Sequence, residues 1–324
     1  MQLGWLTLLV ALAGMAESPP RFRATGMQLY YGSDARLLAT LEKRLRPGQV
    51  VVVEPRALKQ AERDRLLRAA DRVGARVIGY VSIGELSDLE RGKFDRFLAE
   101  HLKKPGVNPG AFRTREAMTL RRNETFRSAL IDVLAEPWRA FVLAEVAAVQ
   151  KAGYHGVFLD TVDSVDDYIT RKDWSLERRA QSVAAMIGLV RAIKAQRPAS
   201  YIVQNRGLNL LGARVFVGDA RGILVPGLDL AGGHAHNPDG LLWESAFLDT
   251  DPWTLGVEKN LLAAQKSGRA AVFALGYAQG GRTPEAFFRA CTRTGFLGTW
   301  ASSSERLHEE LTRGPDEIKE KTAP

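Results

Sequence analysis

The chain has 324 residues, 45% hydrophobic and 25% charged, enough to bury the core of one large α/β domain; length alone also allows two smaller ones, but a single domain is the simpler reading. The formal charge of +8 raises the question of a nucleic-acid or anionic-membrane partner. Lys and Arg are spread over helix-like segments such as Arg63 to Arg76 and Arg171 to Arg197, however, which reads as solvated helix faces, so no nucleic-acid partner is expected. With Cys291 as the only cysteine, no internal disulfide can form, and its helix-like setting reads as a packed thiol.

From the N-terminus, residues 1–16 read as an export signal: Trp5 to Ala13 is a short apolar run, and Gly14 and Ala16 offer a cleavage site before Glu17. The run is too short to span a bilayer comfortably, and no cysteine follows it to carry a lipid. A secreted or periplasmic monomer without stable membrane insertion is expected, with residues 24–302 as the domain and 303–324 as a charged tail containing a helix.

Short apolar runs then alternate with helical patterns, the signature of βα units around a parallel sheet. Candidate strands are Met27 to Tyr31, Val50 to Glu54, Val77 to Ser82, Ala129 to Val133, Gly156 to Asp160, Tyr201 to Asn205, Gly240 to Glu244, Ala270 to Gly276 and Phe296 to Trp300. That is nine candidates for a single-domain (β/α)8 TIM barrel, so one of them, Ala129 to Val133 or the last, is accessory. Helical patterns cover Ala35 to Leu45, Leu58 to Val73, Trp138 to Ala152, Leu176 to Gln196, Leu255 to Lys266 and Pro284 to Thr292, and Gly74, Gly153 and Gly268 suit C-caps. Two excursions, Leu86 to Ser128 and Leu208 to Asp239, are long enough that they should line a site.

Strand ends carry the chemistry. Tyr31 closes the first strand and Glu54 the second; Tyr80, Ser82 and Glu85 cluster at the third, and Asp160 and Asp163 at the central one. Asn205 and Arg206, then Glu244, then Tyr277 follow in the same way. In a barrel these groups converge on one face, where catalytic residues come from different strands. Two carboxylates on separate strands are the equipment for cutting a glycosidic bond, one protonating the departing oxygen and the other acting as nucleophile or as base for water. Asp160 and Glu244 are the best pair because each ends an apolar strand. Glu244 suits the acid/base and Asp160 the nucleophile or its stabiliser, although the sequence leaves roles and stereochemistry open. Trp243, Tyr31, Tyr80 and Tyr277 could offer faces to sugar rings, with inward aromatic packing as the equal alternative for each.

Tyr30-Tyr31-Gly32, Val51 to Pro55, Gly79 to Glu85, Gly156 to Ser164, Asn205-Arg206-Gly207 and Trp243-Glu244-Ser245 together resemble the ordered motifs of glycoside hydrolase family 114, over about Tyr30 to Trp300. The resemblance implies a (β/α)8 barrel that cuts α-1,4-linked galactosamine or N-acetylgalactosamine polysaccharide internally, with no metal or organic cofactor. It also implies that the family's strand-end Asp falls on Asp160 and the Glu of its Glu-Ser motif on Glu244. The rival from another class is a non-catalytic polysaccharide-binding barrel of an exopolysaccharide or biofilm system; a metal-dependent deacetylase is a third option. His234-Ala235-His236 has the spacing of a metal pair but lies in a Gly-rich loop, which favours a loop role over zinc. Gly79 to Gly84 is one residue too long for a nucleophile elbow, and no P-loop or dinucleotide fingerprint occurs.

Overall fold

The computed structural model describes residues 22–218, 222–248 and 251–322; the expected leader lies outside them. In chain order the strands are β1 (Gly26–Tyr30), β2 (Gln49–Val53), β3 (Arg76–Ser82), β4 (Glu85–Ser87), β5 (Thr119–Asn123), β6 (Ser128–Ile131), β7 (Gly156–Asp160), β8 (Tyr201–Asn205), β9 (Arg214–Val217), β10 (Ile223–Pro226), β11 (Gly240–Glu244), β12 (Ala271–Tyr277) and β13 (Leu297–Ala301). Eight of them form one sheet in the order β1-β2-β3-β7-β8-β11-β12-β13, each pair of neighbours parallel. With helices packed outside, this is a (β/α)8 barrel.

Local chemistry sets the helix ends. Asp34 caps α1 (Ala35–Arg44) by accepting from the N–H groups of Arg36 and Leu37 at 2.8 and 3.0 Å. Helix α2 (Gln60–Val73) ends on Gly74 at φ +73°, a left-handed C-cap that turns the chain into β3. The long helices α5 (Glu136–Lys151) and α7 (Leu176–Gln196) bury apolar faces against the sheet.

The accessory strand is the Ala129 candidate: β6 pairs antiparallel with β4 and β5 in a small sheet beside the barrel, and the last candidate is a barrel strand. The first long excursion therefore has its own structure, including α3 (Arg91–His101) and the β5–β6 hairpin. The second carries the β9–β10 hairpin, packed on α7, where the barrel pattern would place a helix, and contrary to expectation none of its described residues lines the cavity at the strand ends. Among the described residues, no helix is long and apolar enough to cross a membrane.

Interior packing follows the two-residue period of the strands. Leu29, Val52, Ile78, Phe158, Val203, Leu242 and Leu275 pack together inside the barrel, whereas their neighbours Tyr30, Val53, Val77, Leu159, Ile202 and Leu241 pack outward against the helices. Two residues beyond these inward hydrophobes come Tyr31, Glu54, Tyr80, Asp160, Asn205, Glu244 and Tyr277. The barrel mouth thus inherits its polar ring from the phase of its core.

The seam between β1 and β13 is occupied by the segment that follows β13. Tyr31 N–H donates to Leu307 O at 2.8 Å, Thr312 N–H to Leu29 O at 3.3 Å, and Trp300 and Arg313 exchange two backbone bonds of 2.9 and 2.8 Å. Leu29 N–H is satisfied by the Thr312 hydroxyl at 2.9 Å, and Thr312 is fully buried. The near part of the expected charged tail therefore serves as backbone partner to the barrel seam, and only beyond it does the helix α10 (Pro315–Thr322) begin. Thr312→Val keeps the shape but leaves the Leu29 donor buried without an acceptor, an expected cost of about 1–3 kcal/mol in urea unfolding; an unchanged midpoint would mean that this bond contributes nothing to the seam.

Candidate active site

The polar ring surrounds a cavity of about 730 Å³ at the C-terminal ends of the barrel strands. Tyr31, Glu54, Tyr80, Ser82, Glu85, Asp160, Asp163, Asn205, Arg206, Glu244 and Tyr277 all line it. Trp243 does not. It immediately precedes the inward-facing Glu244, so the pleat sends it to the opposite face, where it packs on Phe247 and Phe296 between sheet and helices. As a candidate sugar platform it is therefore corrected to an outer-core residue.

At the centre, one amide joins two carboxylates. Asn205 Nδ2 donates to Asp160 Oδ1 at 2.8 Å and to Glu244 Oε2 at 3.0 Å. Tyr80 donates its hydroxyl to Asp160 Oδ2 at 2.6 Å, and Tyr277 donates to Glu244 Oε1 at 2.5 Å. The row Tyr80–Asp160–Asn205–Glu244–Tyr277 thus crosses the mouth over strands β3, β7, β8, β11 and β12. Burial first, and then the charge of Asp160 or Glu244, push the Tyr80 and Tyr277 phenols well above their ordinary range, so both remain donors. Tyr31 is raised for the same reasons and packs edge-on against Tyr80, ring centres 5.4 Å apart.

The turns leaving these strands are unusual. Thr161, Arg206 and Ser245, each directly following a member of the acid–amide–acid row, have φ of +60°, +54° and +55°. Left-handed backbone at non-glycine residues, above all a β-branched one, persists only when surrounding bonds enforce it. For Thr161 those bonds are present: its Oγ1 donates to Asp160 O at 2.6 Å, accepts from Gly84 N–H at 2.8 Å and lies 2.9 Å from Ser82 Oγ. Ser82 in turn donates to Glu85 O at 2.6 Å, so it is spent on holding the turn. Glu85 accepts from Asn123 and Ser128.

Seven carboxylates and two guanidiniums line the cavity. Each guanidinium is held by cavity carboxylates: Arg56 binds Glu54 through two bonds of 2.8 Å and also reaches Glu90 at 2.8 Å, and Arg206 pairs with Asp163 at 2.9 Å. The mouth is therefore acidic on a basic protein. Sequence reasoning did not single out Arg56, Glu90, Asn123, Phe126 or Thr161; only the position of Thr161 directly after the strand-end Asp carried a signal. Among the described residues no cluster of His, Cys, Asp and Glu forms a metal site, and His234 and His236 lie on a loop outside the cavity lining.

Asp163 stands out electrostatically. Burial pushes its carboxyl up to about 6, with Asp160 adding to the rise and Arg206 opposing it. The folded chain holds this proton between the ordinary 3.8 and about 6, where the unfolded chain has released it, so Asp163 subtracts stability as pH rises through that interval. Asp163→Asn is expected to gain on wild type in unfolding measurements at about pH 7 and not at about pH 4; equal differences at both would refute the shift.

Comparison with known proteins agrees with this architecture. Residues 47–220 match the model of glycoside-hydrolase family GH114. Among solved structures, the glycoside hydrolase domain of PelA from Pseudomonas aeruginosa is similar at 21% identity and a TM-score of 0.55, covering 85% of this chain and 94% of that one. The Aspergillus fumigatus Ega3 complex with galactosamine is similar at 13% identity and a TM-score of 0.51, covering 93% and 100%. No curated protein sequence matches. At these identities the solved structures support the fold, while the family match extends over more than half of the sequence: the chain belongs to glycoside-hydrolase family GH114.

Proposed function

We propose that this protein is an exported endo-acting hydrolase of α-1,4-linked galactosamine polymers, with Glu244 as acid/base and Asp160 as nucleophile. The observation that carries this reading is the shared Asn205 amide. The two N–H groups of a planar amide point about 120° apart, so bonds of 2.8 and 3.0 Å along them would bring the bound carboxylate oxygens roughly 5 Å from each other. Carboxyl groups at ~5–5.5 Å suit attack on the sugar by one of them, whereas ~6.5–9.5 Å leaves room for an intervening water. On this basis we assign retention of configuration to the proposed reaction.

In the first step the Glu244 carboxylic acid gives its proton to the glycosidic oxygen as that bond breaks, and Asp160 forms an ester to the anomeric carbon. In the second, the Glu244 carboxylate takes a proton from water, whose oxygen attacks the anomeric carbon and releases Asp160. Tyr80 and Asn205 donate to Asp160, and Tyr277 and Asn205 to Glu244, fixing both groups in place before substrate arrives. The surrounding cavity carries carboxylates in excess, so it favours a polymer of free, charged amines over an N-acetylated one. The similar Ega3 structure, solved with galactosamine, fits that preference. Export is supported by the apolar run at the start of the sequence.

Asp160→Asn and Glu244→Gln are each expected to fold normally and to lose polymer cleavage by ~10³-fold or more. With an activated leaving group that needs no proton, Glu244→Gln recovers the first step and Asp160→Asn does not. Proton NMR of the first product should show the retained anomer; an inverted product would remove Asp160 as nucleophile. Cleavage of the free-amine polymer should weaken as ionic strength rises, and salt-independent cleavage would count against the acidic cavity as the source of selectivity.

A further inference from the structure

The β5–β6 hairpin tip presents Phe126, which is 63% exposed and lines the active cavity. A large apolar ring left open to water inside a polar cleft has hydration to shed when something covers it. The tip is also firmly held. Arg122 forms two bonds of 2.7 and 3.0 Å with Asp88, whose N–H donates to Arg127 O at 2.9 Å, and Arg121 binds Asp167 from the other side of the hairpin at 3.0 and 2.6 Å. Phe126 is thus an aromatic face on a pre-positioned arm, with little ordering left to occur on binding.

Its surroundings suit a sugar. Asn123 and Ser128, at the two ends of the hairpin turn, line the same wall and converge on Glu85. An aromatic face beside amide, hydroxyl and carboxylate groups matches a pyranose, which has an apolar C–H face and a polar rim; C–H groups polarised by a neighbouring ammonium meet the electron-rich ring face favourably. The wall also belongs to one side of the chemistry. Strand β4 leaves β3 next to Ser82, which is paired in register with Asp160, whereas Glu244 and Tyr277 sit on β11 and β12.

We propose that the hairpin tip forms a sugar subsite on the Asp160 side of the cleft, in which Phe126 stacks on one pyranose ring of the amino-sugar polymer. This rests on the hydrolase reading above. The test compares the full chain with Phe126→Ala, Phe126→Leu and Phe126→Trp on an α-1,4-linked free-amine galactosamine polymer. Removing the ring in the Ala and Leu variants is expected to raise KM roughly three- to tenfold with kcat changed by less than about twofold, while the Trp variant stays near wild type. The Ala and Leu variants should also shift the lengths of the products, and all three should melt with the wild type because Phe126 is exposed. An unchanged KM in the Ala variant, a Leu variant that behaves as wild type, or a loss confined to kcat would each overturn the subsite. Wild-type protein that neither binds nor cleaves the polymer would instead overturn the hydrolase reading itself.

Discussion

Two carboxyl groups brought within reach of one another repel when both are charged, and the whole mouth of this barrel is arranged around supplying the donors that hold them there. The Asn205 amide lies between Asp160 and Glu244, and a phenol closes each outer side, half-buried at Tyr80 and buried at Tyr277. Every member of that row comes from a different strand, so its geometry depends on barrel register. The sheet in turn depends on the Leu307 to Arg313 segment, which supplies partners to β1 and β13 where they would otherwise meet without a ladder. A buried threonine, Thr312, and a tyrosine at the barrel mouth, Tyr31, are thereby parts of one hydrogen-bonded seam.

The left-handed turns after Asp160, Asn205 and Glu244 express a second constraint. A strand that ended in relaxed extended backbone would carry its next side chain on outward along the pleat; the reversal at Thr161, Arg206 and Ser245 ends the strand abruptly behind the functional group. Thr161 has the densest support, from Ser82, Gly84 and its own preceding carbonyl, and Gly84 has no room for a side chain, since a Cβ there would meet Thr161 O at 2.3 Å. The motif from Gly79 to Glu85 thus holds the turn that presents Asp160.

Much of this was legible in the sequence because strand-end polarity and strand phase are local properties. Asp160 and Glu244 stand out as acids closing apolar runs, and Asn205 and Tyr277 close theirs in the same way. Phase also separates Trp243 from Glu244, since adjacent residues of one strand face opposite sides, and it decides between the two readings of that ring in favour of core packing. Long-range pairing was not legible. Nothing local distinguishes Thr312 from any other tail residue, or tells that Arg56 spends its charge on Glu54 and Glu90 and leaves the cavity acidic. The accessory sheet was partly visible as a ninth strand too many, but its partners β4 and β5 are short and polar and carry no period of their own.

The central claim is that one sugar linkage is gripped by two acids, of which Asp160 makes the covalent bond. Trapping that ester tests it most directly: the chain is incubated with a galactosamine derivative that has an activated leaving group and a fluorine slowing the second step, digested, and mapped by mass spectrometry. A single adduct on the peptide containing Asp160, absent from Asp160→Asn, is expected. An adduct on Glu244, or turnover with no adduct and an inverted product, would contradict it.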